Sequence, residues 1–405
     1  MKESSYSFDE INIRRGTGCV KWDEDKDGVI PLWVADMDFK TAPCIIRTLE
    51  DRVRQGIFGY THIGEEYYEA IRSWFGSRHG LKLKREWIIY TSGVVPAMSA
   101  VIQALTKPGD KVLIQTPVYN CFFSSIRNSR CIIEENPLVK TDTDRNGGRF
   151  IGDFTYKIDF ADLEEKVRGS RLFILCNPHN PVGRVWTRNE LQMIGKICLK
   201  YGVPVISDEI HCEIVSDGYE YTPMASLSEE FCRNTITLCS PSKAFNIAGL
   251  QIANIIAERK DWRDAINRQI NINETCDVGP FGVAALQTAY TDPEAAEWLG
   301  DLNKYIGENF SFLKEIFAAQ LPWIPVASLE GTYLVWCDCR SLGLSSEKIF
   351  NTLLDNFSVH VNAGSMYGEK AGEGYIRINL ATQRNRLAEG LRRVVEGLNY
   401  LGTKQ

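Results

Sequence analysis

Lys243 sits in the run Ser240-Pro241-Ser242-Lys243-Ala244-Phe245-Asn246, which brings two hydroxyl donors and an amine into one turn. A lone lysine is ordinarily a solvated surface charge, and this one gains meaning from four other short runs. Asp208 opens Asp208-Glu209-Ile210-His211 directly after the apolar run VPVIS. A carboxylate buried at a strand end is costly unless a cation meets it, so Asp208 is either paired there or a surface cap. Asn177-Pro178-His179-Asn180-Pro181-Val182-Gly183 carries two prolines that stiffen the backbone and can aim the Asn180 amide at one point, or simply make a rigid loop. In Ser92-Gly93-Val94-Val95-Pro96 the glycine permits a tight turn and the proline suits a first helical turn, so the exposed amides make an anion seat. Pro117-Val118-Tyr119 places a ring where it can stack on a planar ligand or join the core.

Each run comes after a β-rich stretch: WIIYT (87–91), KVLIQT (111–116), RLFILC (171–176), VPVIS (203–207) and TITLC (235–239). These stretches are apolar throughout and separated by segments with helical spacing, which predicts an α/β fold with a mostly parallel sheet sandwiched by helices over 86–257. In such sheets ligands bind beyond the carboxyl ends of the strands. The five runs therefore face one crevice, with an anion seat, a stacking ring, a carboxylate and an amine. Pyridoxal 5'-phosphate asks for all four: a phosphate, a flat ring, a ring nitrogen held protonated by a carboxylate, and an aldehyde that condenses with lysine.

The texture of the chain divides it into three segments. Residues 1–45, punctuated by glycine and proline, form an arm and part of a small domain; 46–290 make the large cofactor-binding domain; 291–405, with a long amphipathic stretch over Glu294–Gln320, GTYLVWCD and YIRINL, make a smaller α+β domain. At 405 residues with 44% hydrophobic and 24% charged side chains the chain has material for a large core. Its 52 acidic against 46 basic side chains give a net charge of −6, the wrong sign for a nucleic-acid binder. Twelve scattered cysteines without a C-x-x-C pair fit a reducing compartment. The opening MKESSYSFDE lacks the apolar core of a signal peptide, and no apolar run approaches the length of a membrane span. The expectation is a soluble, cytoplasmic protein.

The runs NPHNPVGRVWTRNEL, DEIH and SPSKAFNIAGLQ, in this order, resemble the class I/II aminotransferase family of pyridoxal phosphate enzymes with fold type I and its seven-stranded sheet. Within it, KWDEDKDGVIPLWVADMDF, FGYTHIGEEYYEAI and TSGVVPAM look most like the cystathionine β-lyase branch, bacterial carbon–sulfur lyases. The resemblance implies that Lys243 condenses with the cofactor, Asp208 pairs with the pyridine nitrogen, Asn180 bonds the ring hydroxyl oxygen and Tyr119 stacks on the ring. It implies a phosphate site from the amides of Val94 and Val95, from Ser240 and Ser242, and from Tyr60 of a second subunit in a homodimer. It implies that Arg377, in YIRINL, clamps the substrate carboxylate. The sequence departs from many aminotransferases at Gln251, where an arginine would neutralise phosphate, and so leaves more of that charge to the helix terminus and hydroxyls.

The implied reaction is α,β-elimination from a β-sulfur amino acid to pyruvate, ammonia and a thiol. Its rivals are an aminotransferase using the same residues and a cofactor-holding protein with a regulatory binding role. Zinc held by Cys176, His179, His211 and Cys212 is disfavoured, because neighbouring residues of a continuing strand face opposite ways. His211 and His179 suit pocket hydrogen bonding instead. Tyr333, in GTYLVW, and Trp33, in PLWVADMDF, are expected to border the substrate pocket or to pack in the core.

Overall fold

The computed structural model describes residues 6–143 and 152–403; the first five residues of the opening stretch thus lie outside it. Seven strands form the central sheet: β1 (Ile88–Thr91), β2 (Lys111–Thr116), β3 (Ile132–Pro137), β4 (Leu172–Cys176), β5 (Val205–Asp208), β6 (Thr235–Cys239) and β7 (Ala253–Ala257). Their order across the sheet is β1-β7-β6-β5-β4-β2-β3. Strands β3, β2, β4, β5 and β6 run parallel, while β7 is antiparallel to both of its neighbours.

Continuous apolar runs become buried strands because helices cover both faces. Ile174, Ile206, Ile236 and Ile255 share a core with Val101 of helix Val94–Leu105 and Ile266 of helix Lys260–Ile272. Their alternates Phe173, Leu175 and Val205 pack with Leu191 and Ile194 of helix Arg188–Tyr201. Two strands escape the apolar-run rule. β3 carries Glu134 and Glu135 because it is the sheet's edge and half-exposed. β7 turns back after a link with no long crossover helix, which leaves it antiparallel. That link carries Lys243.

The carboxy-terminal part builds a three-stranded antiparallel sheet from Leu334–Asp338, Tyr375–Asn379 and Asn362–Ala363, backed by helices Pro293–Gln320, Ser346–Phe357 and Arg384–Gly402. The amino-terminal arm joins it through a parallel pairing of Ile30–Pro31 with Val359–His360. A buried charge cluster folds the arm on itself. Lys21, fully buried, lies 3.1 Å from Asp38, which also accepts from Arg14 at 2.9 Å and from the Trp22 indole at 2.8 Å. Among the described residues no helix is long and apolar enough to cross a membrane.

Candidate active site

Beyond the carboxyl ends of the strands lies a cavity of about 200 Å³ lined by Tyr119, Asn180, Asp208, His211, Ser242 and Lys243, with Ala35 of the arm and the turn Ser92–Pro96. Asp208 is the last residue of β5 and buried. Its carboxylate accepts the Ile210 N–H at 3.2 Å, and no basic side chain among the described residues forms an ion pair with it. Burial pushes the carboxyl up to about 7; the Ile210 amide pulls against this, the Glu209 charge adds to it and Lys243 opposes it. The group is therefore neither a surface cap nor paired within the chain: it calls for a cation from a ligand.

Lys243 faces it from the loop after β6, and its amine donates to the Ala35 carbonyl at 2.7 Å. Burial lowers the lysine pKa, Arg377 lowers it further, and Asp36 and Asp208 counter them. A lysine so placed reaches the neutral, nucleophilic form more readily than one in water.

At the third wall, helix Val94–Leu105 starts without a side-chain cap because Gly93 stands at its N-cap. Its first intrahelical bond is Ala97 N–H to the Gly93 carbonyl at 3.0 Å, and Pro96 has no N–H to offer. The Val94 and Val95 amides thus lack helical acceptors and face the cavity, an anion seat with the positive end of the helix dipole. Ser242 lines the same wall. Ser240 does not: its single O–H is spent on the Ile252 carbonyl at 2.5 Å, while its oxygen accepts the Ser242 N–H at 3.1 Å, so the expected phosphate bond from Ser240 has no proton left to make it.

Arg377 is buried and reaches the Asn180 side-chain oxygen at 3.1 Å and the Trp33 carbonyl at 2.7 Å, its guanidinium 4.9 Å from the Tyr367 ring centroid. The Tyr119 ring is half-buried and stands edge-on to Phe122. Burial, chiefly, holds its hydroxyl well above its ordinary pKa, so it stays protonated. His211 is pushed down to about 3 by burial with help from Lys243 and Arg377, and its Nδ1 has no partner. The imidazole is neutral across the physiological range.

Two expected pocket aromatics lie behind the wall. Tyr333 is fully buried with its hydroxyl on the Ala35 carbonyl at 2.9 Å. Trp33 stacks flat on His360 with centroids 4.4 Å apart, and only its backbone carbonyl, through Arg377, bears on the site. Tyr60, almost completely solvent-exposed, is absent from the cavity of its own chain. Gln251, in the left-handed conformation with φ 52°, contributes no charge. Of the four residues weighed for zinc, three are engaged separately: Cys176 donates to the Pro178 carbonyl, the His179 ring bonds the Pro117 carbonyl at 2.8 Å, and Cys212 lies beside Glu213 and His79, while His211 lines the cavity. Sequence reasoning missed the Ala35 carbonyl, which any residue type would supply. It also missed Asn246, three residues beyond the lysine, whose side chain bonds Met37 and Phe39 of the arm.

A crevice at the strand ends that brings an amine, a buried carboxyl without a cation and an anion seat to one cavity defines a class of protein that holds a phosphorylated heterocycle. The family model described as "Aminotransferase class I and II" matches residues 27–394. Cystathionine beta-lyase PatB of Bacillus subtilis (strain 168) is 38% identical, over 97% of this chain and 100% of that one. The solved structure of cystalysin from Treponema denticola, which contains a pyridoxal 5'-phosphate cofactor, superposes with a TM-score of 0.91 at 35% identity, covering 98% of this chain and 99% of that one. The pyridoxal phosphate-bound C-S lyase of Staphylococcus hominis gives 0.87 at 33%, covering 97% and 99%. The chain belongs to the class I and II aminotransferase family. Its site fits the family's pyridoxal phosphate: unpaired helix amides for the phosphate, a buried carboxyl lacking a cation for the ring nitrogen, and an amine with lowered pKa for the aldehyde.

Proposed function

We propose that the protein is a pyridoxal 5'-phosphate-dependent carbon–sulfur β-lyase that cleaves L-cystathionine- or L-cysteine-type amino acids to pyruvate, ammonia and a thiol. One observation carries the reading: Lys243 and an unpaired, buried Asp208 line one narrow cavity in a chain whose full-length relatives include named cystathionine β-lyases. When bound, the cofactor supplies an electron sink for negative charge at the substrate α-carbon.

The chain's own groups do the rest. With the cofactor bound, Asp208 would hold a proton on the ring nitrogen, Asn180 would bond the ring oxygen, and Tyr119 would cover the ring face. The Val94 and Val95 amides and the Ser242 hydroxyl would hold the phosphate. Arg377 grips the substrate carboxylate with a two-pronged guanidinium, orienting the α-hydrogen toward Lys243. The neutral Lys243 amine would take that hydrogen as a proton at Nζ, the thiolate would leave from the adjacent carbon, and water would hydrolyse the remaining enamine to pyruvate and ammonia. His211 stays neutral beside the ring, so it does not compete with the lysine for the carboxylates.

In the same reading Tyr60 completes the phosphate site of a second subunit in a cytoplasmic homodimer, which accounts for a ring held out in solvent next to exposed Ile57 and Phe58. The segments 1–45, 46–290 and 291–405 are the arm with part of the small domain, the cofactor domain and the small domain. Incubation of the loaded enzyme with L-cystathionine and no keto acid tests the reaction: a lyase releases pyruvate continuously, whereas an aminotransferase stops after one turnover per site.

A further inference from the structure

Residues 33–39 of the arm, of which Ala35 lines the cavity, form a strap whose backbone is bound by side chains from two directions. From the carboxy-terminal part, the Asn379 amide donates to the Val34 and Asp36 carbonyls at 2.5 and 2.7 Å, and Arg377 donates to the Trp33 carbonyl. From the lysine loop, Asn246 bonds the Met37 N–H at 3.0 Å, the Met37 carbonyl at 2.9 Å and the Phe39 carbonyl at 2.8 Å. At the middle lies the Ala35 carbonyl, which accepts both from the Lys243 amine at 2.7 Å and from the Tyr333 hydroxyl at 2.9 Å.

We propose that Tyr333 is a positioning residue for Lys243: its hydroxyl fixes the Ala35 carbonyl as the acceptor on which the lysine amine docks whenever it is not covalently engaged. The inference rests on Lys243 being the lysine that condenses with the cofactor.

The lysine stem has four rotatable bonds, and its amine must attack an aldehyde and later remove a proton from one place. A single acceptor in a fixed position removes most of that rotational freedom before either step begins. The Ala35 carbonyl can serve only if its peptide plane does not turn. Both flanking carbonyls are tied to Asn379, and Tyr333 occupies the second lone pair of the central one. Tyr333 is itself enclosed, with no exposed surface and its ring set edge-on to His211 at 5.9 Å. A phenol so deeply buried needs an acceptor, and Ala35 provides it. When Nζ takes up the α-proton, the resulting ammonium keeps a hydrogen for the Ala35 oxygen, and the Asp36 charge lies close enough to favour that state.

Tyr333→Phe removes one oxygen and leaves the ring. The test uses apoprotein to which pyridoxal phosphate is added: covalent capture is monitored by absorbance, trapped with borohydride and located by peptide mass. The label is expected on Lys243 at full stoichiometry, with capture about tenfold slower than wild type, the scale of one lost hydrogen bond. In the loaded variant kcat falls by a similar factor with KM unchanged, and the isotope effect with α-deuterated substrate rises because proton removal becomes slower. A merely structural tyrosine would lower the labelled fraction or the Tm while leaving capture rate and isotope effect per labelled site unchanged, and that result overturns the proposal. Label on another residue overturns the assignment of Lys243 itself, a separate outcome. If Tyr333→Phe does not fold, Tyr333→Met, which also lacks the hydroxyl and fills the ring's space with a flexible side chain, takes its place; unchanged capture there also overturns it.

Discussion

Asp208→Asn separates what the site costs from what it does. The carboxyl is buried and raised from 3.8 to about 7, the reverse of the usual stabilising carboxylate. In the apoprotein the folded state therefore keeps a proton that the unfolded chain has released between these two values, so stability falls as pH rises through the window and the full penalty is present above pH 7. A change from 3.8 to about 7 corresponds to roughly 4 kcal/mol. Asparagine has nearly the same shape and no charge to bury. Urea unfolding of the two apoproteins should show Asp208→Asn more stable at pH 8, and the advantage should exceed that at pH 5 by about 2 kcal/mol or more. Activity moves the other way. Removing the charged partner of a buried cation costs about 3–5 kcal/mol, so kcat of the loaded variant should drop roughly 100- to 5,000-fold. A variant whose apoprotein stability tracks wild type at both pH values would refute the account of Asp208 as a carboxyl held unpaired for a ligand, and full activity would refute its role.

Arg377→Lys keeps the charge but loses the fork, and should raise KM for the amino-acid substrate about 10- to 100-fold in steady-state assays with a smaller change in kcat. Lys21→Met leaves Asp38 buried with Arg14 as its remaining ion-pair partner; the arm should loosen, with global stability lowered by about 3–5 kcal/mol in denaturant titration.

The empty site works against folding. Asp208 without a cation, uncapped Val94 and Val95 amides, and the unpartnered His211 Nδ1 all oppose folding of the empty protein. Cofactor binding supplies partners for such groups, so ligand affinity and apoprotein stability are linked.

Much of the crevice was legible in the linear chain because its information is local. Continuous apolar runs identify strands buried on both faces, and the residues just past the carboxyl end of a parallel strand stand at the ligand edge of such a sheet. Lys243, Asp208, Asn180, Tyr119 and the Val94–Val95 turn could therefore be brought together before any coordinates. Other features have no local signature. The charged β3 became a strand only by having a neighbour on one side, and β7 took its direction from a link too short to cross the sheet. Whether Trp33 and Tyr333 touch a ligand or stand behind it depends on how the arm pairs with Val359–His360, hundreds of residues away. Ser240 donates its hydroxyl hydrogen bond to the Ile252 carbonyl for the same kind of reason. Residue type and spacing determined which chemistry the chain could carry; tertiary packing alone decided which backbone oxygen, Ala35, meets the lysine, since every residue offers a carbonyl and only long-range contacts select one.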